Sequence, residues 1–272
     1  MGYYLKGKDN INIYIEDLNS ECEKTIVFLH GWPGDHNLFE YQFDYLSQKG
    51  YRCIGIDQRG FGKSDKPLKG YDYDTLSDDL GCIIEQLDLK DFTLLGHSTG
   101  GAIAVRYMAR HKEYGVNKLI LCGAAVPSLI KRSCFPYGIK REVVLNIING
   151  TYTDRPKMLN DFGRIFFYSK VSKYLMEWFF QIGLKASGWS TAEIAKTWLG
   201  EEKLFEDVKE IHAKTLIIHG IHDKVCLFPL AQQQKKMIKN SKLVKFDKSG
   251  HATFIDEKDK FNKEIVKFID EF

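Results

Sequence analysis

An α/β fold is predicted: a mostly parallel sheet of about eight strands, helices on both faces, and a helical insertion lying as a lid over the strand ends. Three observations carry it. Short apolar runs alternate with helical patterns up to Ala125, that alternation stops and resumes only after residue 212, and residues 92–112 read as a strand turning abruptly into a helix. They divide the chain into a core domain, 1–125 with 213–272, and a cap, 126–212.

The elements follow in order. Residues 11–15 alternate as an antiparallel strand does, with 3–6 as the partner. Thr25–Leu29 is apolar throughout, as a strand covered on both faces requires, and it ends in the loop His30-Gly31-Trp32-Pro33-Gly34. Residues 38–49 read as a helix closed by Gly50, 51–56 as the next strand, and 73–87 as an amphipathic helix. After the strand–helix turn, Val116–Cys122 is another buried strand. The cap shows helical spacing around Phe162, Ile165 and Phe166, around Tyr174 and Trp178, and over 192–199, with no buried strand. Strand 215–219, a helix at 230–239, strand 243–246 and a final helix at 258–272 complete the core.

Composition excludes several classes. A net charge of +3, with Lys and Arg dispersed among acids, describes a solvated surface rather than a nucleic-acid footprint. The first ten residues hold no apolar segment, so no signal peptide is expected, and Lys6 stands where N-myristoylation wants Ser or Thr. The most apolar stretch, 174–184, is broken by Glu177 and Gln181 and is too short to span a bilayer. Cys22, Cys53, Cys82, Cys122, Cys134 and Cys226 show no paired spacing, as reduced cysteines do. A cytoplasmic protein without cofactor or membrane partner is expected, with a homo-oligomer left open. His36, His111 and His212 read as surface residues.

Chemistry enters at Gly96-His97-Ser98-Thr99-Gly100. Gly-x-Ser-x-Gly arises by accident in about one chain in ten of this length, so its setting matters more than its letters. Here a strand precedes it and a helix follows, which thrusts the Ser98 hydroxyl out at the bend and points the helix's first N–H groups at whatever bonds to it. This resembles the nucleophile elbow of the α/β-hydrolases. His30-Gly31-Trp32-Pro33, residues 51–65, 71–89 and 98–110 are similar, within that superfamily, to the bacterial arylesterase and cofactor-free haloperoxidase (perhydrolase) group, the cap being least alike.

The resemblance implies an α/β-hydrolase fold and a Ser–acid–His order, each partner following a later strand. Asp223 follows strand 215–218 and His251 follows strand 243–246; they are the acid and base, with Asp247 and His222 as rivals. The oxyanion donors implied are the backbone N–H groups of Thr99 and Trp32. Trp32, Leu129, Phe162, Phe166 and Val225 are implied as substrate-lining residues, although Phe162 and Phe166, on one helix face, equally suit cap packing. His219, His222 and Asp223 could approach one another, but no further Cys or His ligand is nearby, so no metal is expected. Gly62-Lys63-Ser64 resembles the tail of a phosphate-binding loop, yet Asp57 stands where that loop needs glycine; 57–65 reads as a structural turn.

The activity implied is a serine carboxylesterase acting on small-molecule esters of short acyl or aryl type. Perhydrolysis would use the same residues, and Pro33 suits it. A C–C bond hydrolase would also use Ser98 and would need a cation for its acidic substrate, while a non-catalytic scaffold could keep the residues unused. Dehalogenases and epoxide hydrolases place Asp where Ser98 stands.

Overall fold

The structure is a computed structural model and describes residues 1–271; Phe272, the expected end of the last helix, lies outside the described residues. The chain runs β1 (Gly2–Lys6), β2 (Asn12–Leu18), β3 (Thr25–Leu29), α1 (Glu40–Ser47), β4 (Arg52–Ile56), α2 (Tyr73–Gln86), β5 (Phe92–His97), α3 (Thr99–Arg110) and β6 (Val116–Cys122). The cap helices follow: α4 (Arg141–Thr153), α5 (Arg155–Phe166), α6 (Lys173–Leu184), α7 (Gly188–Gly200) and α8 (Leu204–Asp207). The chain then returns with β7 (Lys214–Gly220), α9 (Pro229–Met237), β8 (Ser241–Phe246), α10 (Thr253–Asp256) and α11 (Lys258–Asp270).

Eight described strands form one sheet in the order β1-β2-β4-β3-β5-β6-β7-β8. β1 and β2 are antiparallel, with Tyr3 opposite Ile15, and β3 to β8 are parallel. Every residue of β3 and β5 is buried, because helices cover both faces there and leave no place for alternation. The chain winds outward from β3 to β4, then crosses back to β5 on the other side. The loops after β3 and β5 therefore flank a crevice at the carboxyl edge, where open α/β sheets hold ligands.

The cap helices start where capping residues dictate. Asp154 accepts from the Lys157 N–H at 3.0 Å with Pro156 in the first turn of α5, and Ser172 and Ser187 cap α6 and α7 in the same way. The buried apolar cluster runs from the sheet into the inner cap face through Phe162, Phe166, Phe179 and Trp198. Helix α4 went unread in the sequence. Among the described residues no helix is long and apolar enough to cross a membrane.

His36 corrects one expectation. It is buried rather than on the surface, and both its N–H and its Nδ1 meet the buried Asp57 carboxylate, at 2.8 and 2.7 Å. Asp57 follows β4 and is buried, so its oxygens need donors from the chain; Lys63 N–H supplies another at 2.8 Å. The 57–65 turn is thus folded around a carboxylate.

Candidate active site

Ser98 sits between β5 and α3 at φ 54° and ψ −119°. A non-glycine residue holds such a conformation, at about 1–3 kcal/mol, only where its surroundings over-determine it. Here the Ser98 N–H donates to the Cys122 carbonyl at 3.0 Å, and the Ser98 carbonyl accepts from Gly101, Ala102 and Ala125. Strand and helix approach so closely that a Cβ at Gly96 would lie 2.5 Å from the Gly100 oxygen, and one at Gly100 would lie 2.3 Å from the Leu29 oxygen. Neither position has room for a side chain.

The loop after β3 packs against this bend: a Cβ at Gly31 would stand 2.8 Å from Ser98 Cβ. His30 pins the loop. Burial holds its imidazole below the ordinary histidine range, and the neutral ring fits its partners, Nδ1–H donating to the Gly31 carbonyl at 3.0 Å and Nε2 accepting from Gln58 N–H at 3.0 Å. The buried Trp32 indole donates to the Thr191 carbonyl of α7 at 3.1 Å. The N–H groups of Trp32 and Thr99 thus belong to two segments fixed beside Ser98.

The imidazole and the acid meet behind it. Asp223 follows β7 and His251 follows β8; both are buried, with Nδ1 of His251 2.7 Å from Asp223 Oδ2. Asp223 Oδ1 accepts from the N–H groups of Val225 and Cys226 at 2.8 and 2.9 Å. Burial pushes the Asp223 carboxyl up, but the His251 charge and the hydrogen bonds from His219 and His251 outweigh it and hold the group well below the usual carboxylate range. His97, beside Ser98, is kept neutral by burial, and its Nε2–H donates to the His251 carbonyl at 3.1 Å.

His251 Nε2 is buried and has no hydrogen-bond partner in this structure. Ser98 Oγ instead lies 3.8 Å from the Cys226 sulfur. Burial pushes the Cys226 thiol well up, with the Asp223 charge acting in the same direction, so it is no thiolate nucleophile.

A cavity of about 20 Å³ lies over Ser98, lined by Trp32, Leu129, Phe162 and Val225 of the expected set, and by Ile139, Ile147 and Trp198. Phe166 does not line it. That ring lies 5.3 Å from the His251 ring and 4.2 Å from Phe179, 1% exposed, and its carbonyl accepts from His251 and Ala252 N–H. One helical turn separates it from Phe162, but the end of α5 turns it behind the imidazole.

A family model described as alpha/beta hydrolase fold matches residues 24–181. The chain belongs to the alpha/beta hydrolase family. It is 44% identical over 268 residues to the AB hydrolase superfamily protein YisY of Bacillus subtilis, covering 98% of this chain and 99% of that one. Among solved structures it resembles an esterase from Exiguobacterium antarcticum (TM-score 0.97, 42% identity) and a bromoperoxidase from Bacillus anthracis (TM-score 0.94, 30% identity), each covering all of both chains.

In this alpha/beta hydrolase the rivals lie apart. His222 stacks on Tyr168 with ring centroids 3.9 Å apart, and Asp247 is exposed. The grouping His219, His222 and Asp223 does not form. Among the described residues only Asp35, His36 and Asp57 cluster as metal ligands could, and they are already engaged: Asp57 with His36, and Asp35 with Lys185 at 2.9 Å. Sequence reasoning missed His219 as a partner of the acid; its Nε2 is 2.6 Å from the Cys226 carbonyl and 3.2 Å from Asp223 Oδ2. The signal was a histidine closing an apolar strand four residues before the acid. Ile147 and Trp198 carried none beyond a helix's apolar face.

Proposed function

We propose that this hydrolase is a serine carboxylesterase that cleaves small esters through an acyl-enzyme on Ser98. The observation that carries the reading is the buried His251 imidazole, anchored through Nδ1 to Asp223 at 2.7 Å, its Nε2 without a partner and its ring 4.5 Å from that of His97, the residue before the strained Ser98 bend. In this mechanism Ser98 turns its Oγ from Cys226 to His251. The oxygen attacks the ester carbonyl as Nε2 takes its proton, and the carbonyl electrons move onto oxygen, held by the N–H groups of Trp32 and Thr99. Each such donor contributes about 3 kcal/mol in comparable sites. Collapse expels the alcohol, which receives the proton from His251. Water, deprotonated by the same nitrogen, then releases the acid.

Support for short acyl groups comes from the apolar side chains that crowd Ser98, Trp32, Leu129, Phe162 and Val225 among them, which leave no depth for a long chain. The similarity to an esterase at 42% identity points the same way. Ser98→Ala should abolish hydrolysis of p-nitrophenyl acetate and labelling by a fluorophosphonate; retention of most turnover would refute the assignment.

A second reading is favoured by the likeness to a bromoperoxidase and by Pro33 next to Trp32. Hydrogen peroxide replaces water at the acyl-enzyme, and the peracid released oxidises halide. Peroxide-dependent bromination in acetate buffer, lost in Ser98→Ala, is the expected result; no bromination would remove it. A C–C hydrolase of acidic substrates gains no support, since no Lys or Arg lines the cavity among the described residues.

A further inference from the structure

The space over Ser98, about 20 Å³, has room for about one water molecule and cannot take an ester as it stands. Outside it lies a groove of about 470 Å³ between α4 and α5, a size that suits a small-molecule ligand. Ile147 of α4 and Phe162 of α5 line both. They are the shared wall. Val143, Met158 and Ile165 continue the apolar surface outward, and Val143 and Ile165 are exposed there, 43% and 37%. Gly150 lets the helices approach, since a Cβ there would meet Met158 at 3.1 Å.

We propose that the α4–α5 groove is the binding site for the alcohol portion of the ester, reached when Ile147 swings aside, so that the substrates are short-chain acids esterified to bulky, uncharged, apolar alcohols. This rests on the esterase reading and adds its specificity. The alcohol must be the outer part, because it leaves first while the acyl group stays on Ser98; the departing piece belongs on the side open to solvent. Phe162 is the fixed half of the wall, held by Trp32 at 4.9 Å, Phe166 at 5.7 Å and Phe179 at 6.2 Å between ring centroids. Ile147 is only partly buried and is the half that moves. On the rim Lys157 is paired with Asp161, and the Asp154 carboxylate accepts from the Lys157 N–H at the start of α5, so the lining offers no unpaired cation to an acidic alcohol portion.

The test is a series of acetates of primary alcohols, from methyl through hexyl to naphthylmethyl, whose leaving groups are of similar acidity, with kcat/KM measured for each. Wild type should prefer the larger alcohols by about tenfold or more, the discrimination that a few buried carbons supply. Met158→Arg should cut the naphthylmethyl-to-methyl ratio about tenfold, chiefly through KM. Ile147→Ala should raise naphthylmethyl acetate turnover, and Leu145→Arg, on an exposed part of α4 outside the groove, should leave the ratio unchanged. A flat alcohol series, or a ratio indifferent to Met158→Arg, overturns the groove assignment while fluorophosphonate labelling of Ser98 leaves the esterase reading intact. Failure of both labelling and all ester turnover overturns both.

Discussion

Phe166→Ala separates a pocket residue from a supporting one. The ring is 1% exposed and is enclosed by His251, His97, Phe179 and Phe254, at centroid distances of 5.3, 5.9, 4.2 and 6.4 Å. Truncating a buried phenylalanine costs about 3–5 kcal/mol through lost burial and the void left behind. A domain of this size loses about 2–4 °C of melting temperature per kcal/mol, so Tm should fall by on the order of 10 °C. The protein should still fold, since whole-domain stabilities run to about 5–15 kcal/mol. The same ring walls one side of the His251 imidazole, so kcat for p-nitrophenyl acetate should drop about ten- to a hundredfold from misplacement, with KM little changed. Phe166→Leu should restore most of both. Thermal melts paired with steady-state kinetics decide it. An unchanged Tm, with raised KM and a shifted acyl-length preference, would refute the reasoning and return Phe166 to the substrate pocket.

Three further outcomes follow from the same structure. Asp223→Asn replaces the carboxylate behind the imidazole by an amide and should lower kcat about 10⁴-fold at near-native Tm; a loss under tenfold would show that Asp223 does not orient His251. Arg59 is 2% exposed and bidentate on Asp79 at 2.6 and 2.7 Å, so Arg59→Met should cost about 3–5 kcal/mol in urea unfolding, most of it recovered by adding Asp79→Leu. Burial pushes the Asp78 carboxyl up, but hydrogen bonds from Arg110 and Lys8 hold it below the usual range, so its stabilisation is full above its unfolded pKa near 4 and is lost as pH falls through the folded value. Melting temperature should therefore decline below about pH 4, and less steeply in Asp78→Asn; identical slopes would show that this carboxylate is uninvolved.

The sheet was legible because its central strands are unbroken apolar runs, and Ser98 and Asp223 each follow such a run, while His251 follows β8, an edge strand in which Lys242 and Lys245 flank the apolar pair Leu243-Val244. Strand ends are local features, so the order of the pieces along the chain carried the information. The cap was harder. Ile147 and Trp198 face the cavity only because of how α4 and α7 lie on the core, and helical periodicity reports that a face is covered, never by what. Phe166 shows the same limit: its spacing from Phe162 put both on one helix face, while the end of α5 at Phe166 sends one ring over the cavity and the other behind it. His36 read as surface because the carboxylate that buries it, Asp57, lies 21 residues away in sequence.

The Asp223 carboxylate is held on both oxygens. Val225 and Cys226 N–H groups occupy one, and the His251 ring occupies the other, with His219 Nε2 3.2 Å from that same oxygen and 2.6 Å from the Cys226 carbonyl. A carboxylate offers about four lone-pair sites, and three of them face N–H donors here. Under the proposed mechanism, a carboxyl held this far below its usual range leaves a proton taken from Ser98 on the imidazole: the acid would anchor a cation that forms and vanishes in each turnover, and the alcohol would recover its hydrogen from the same nitrogen that removed it.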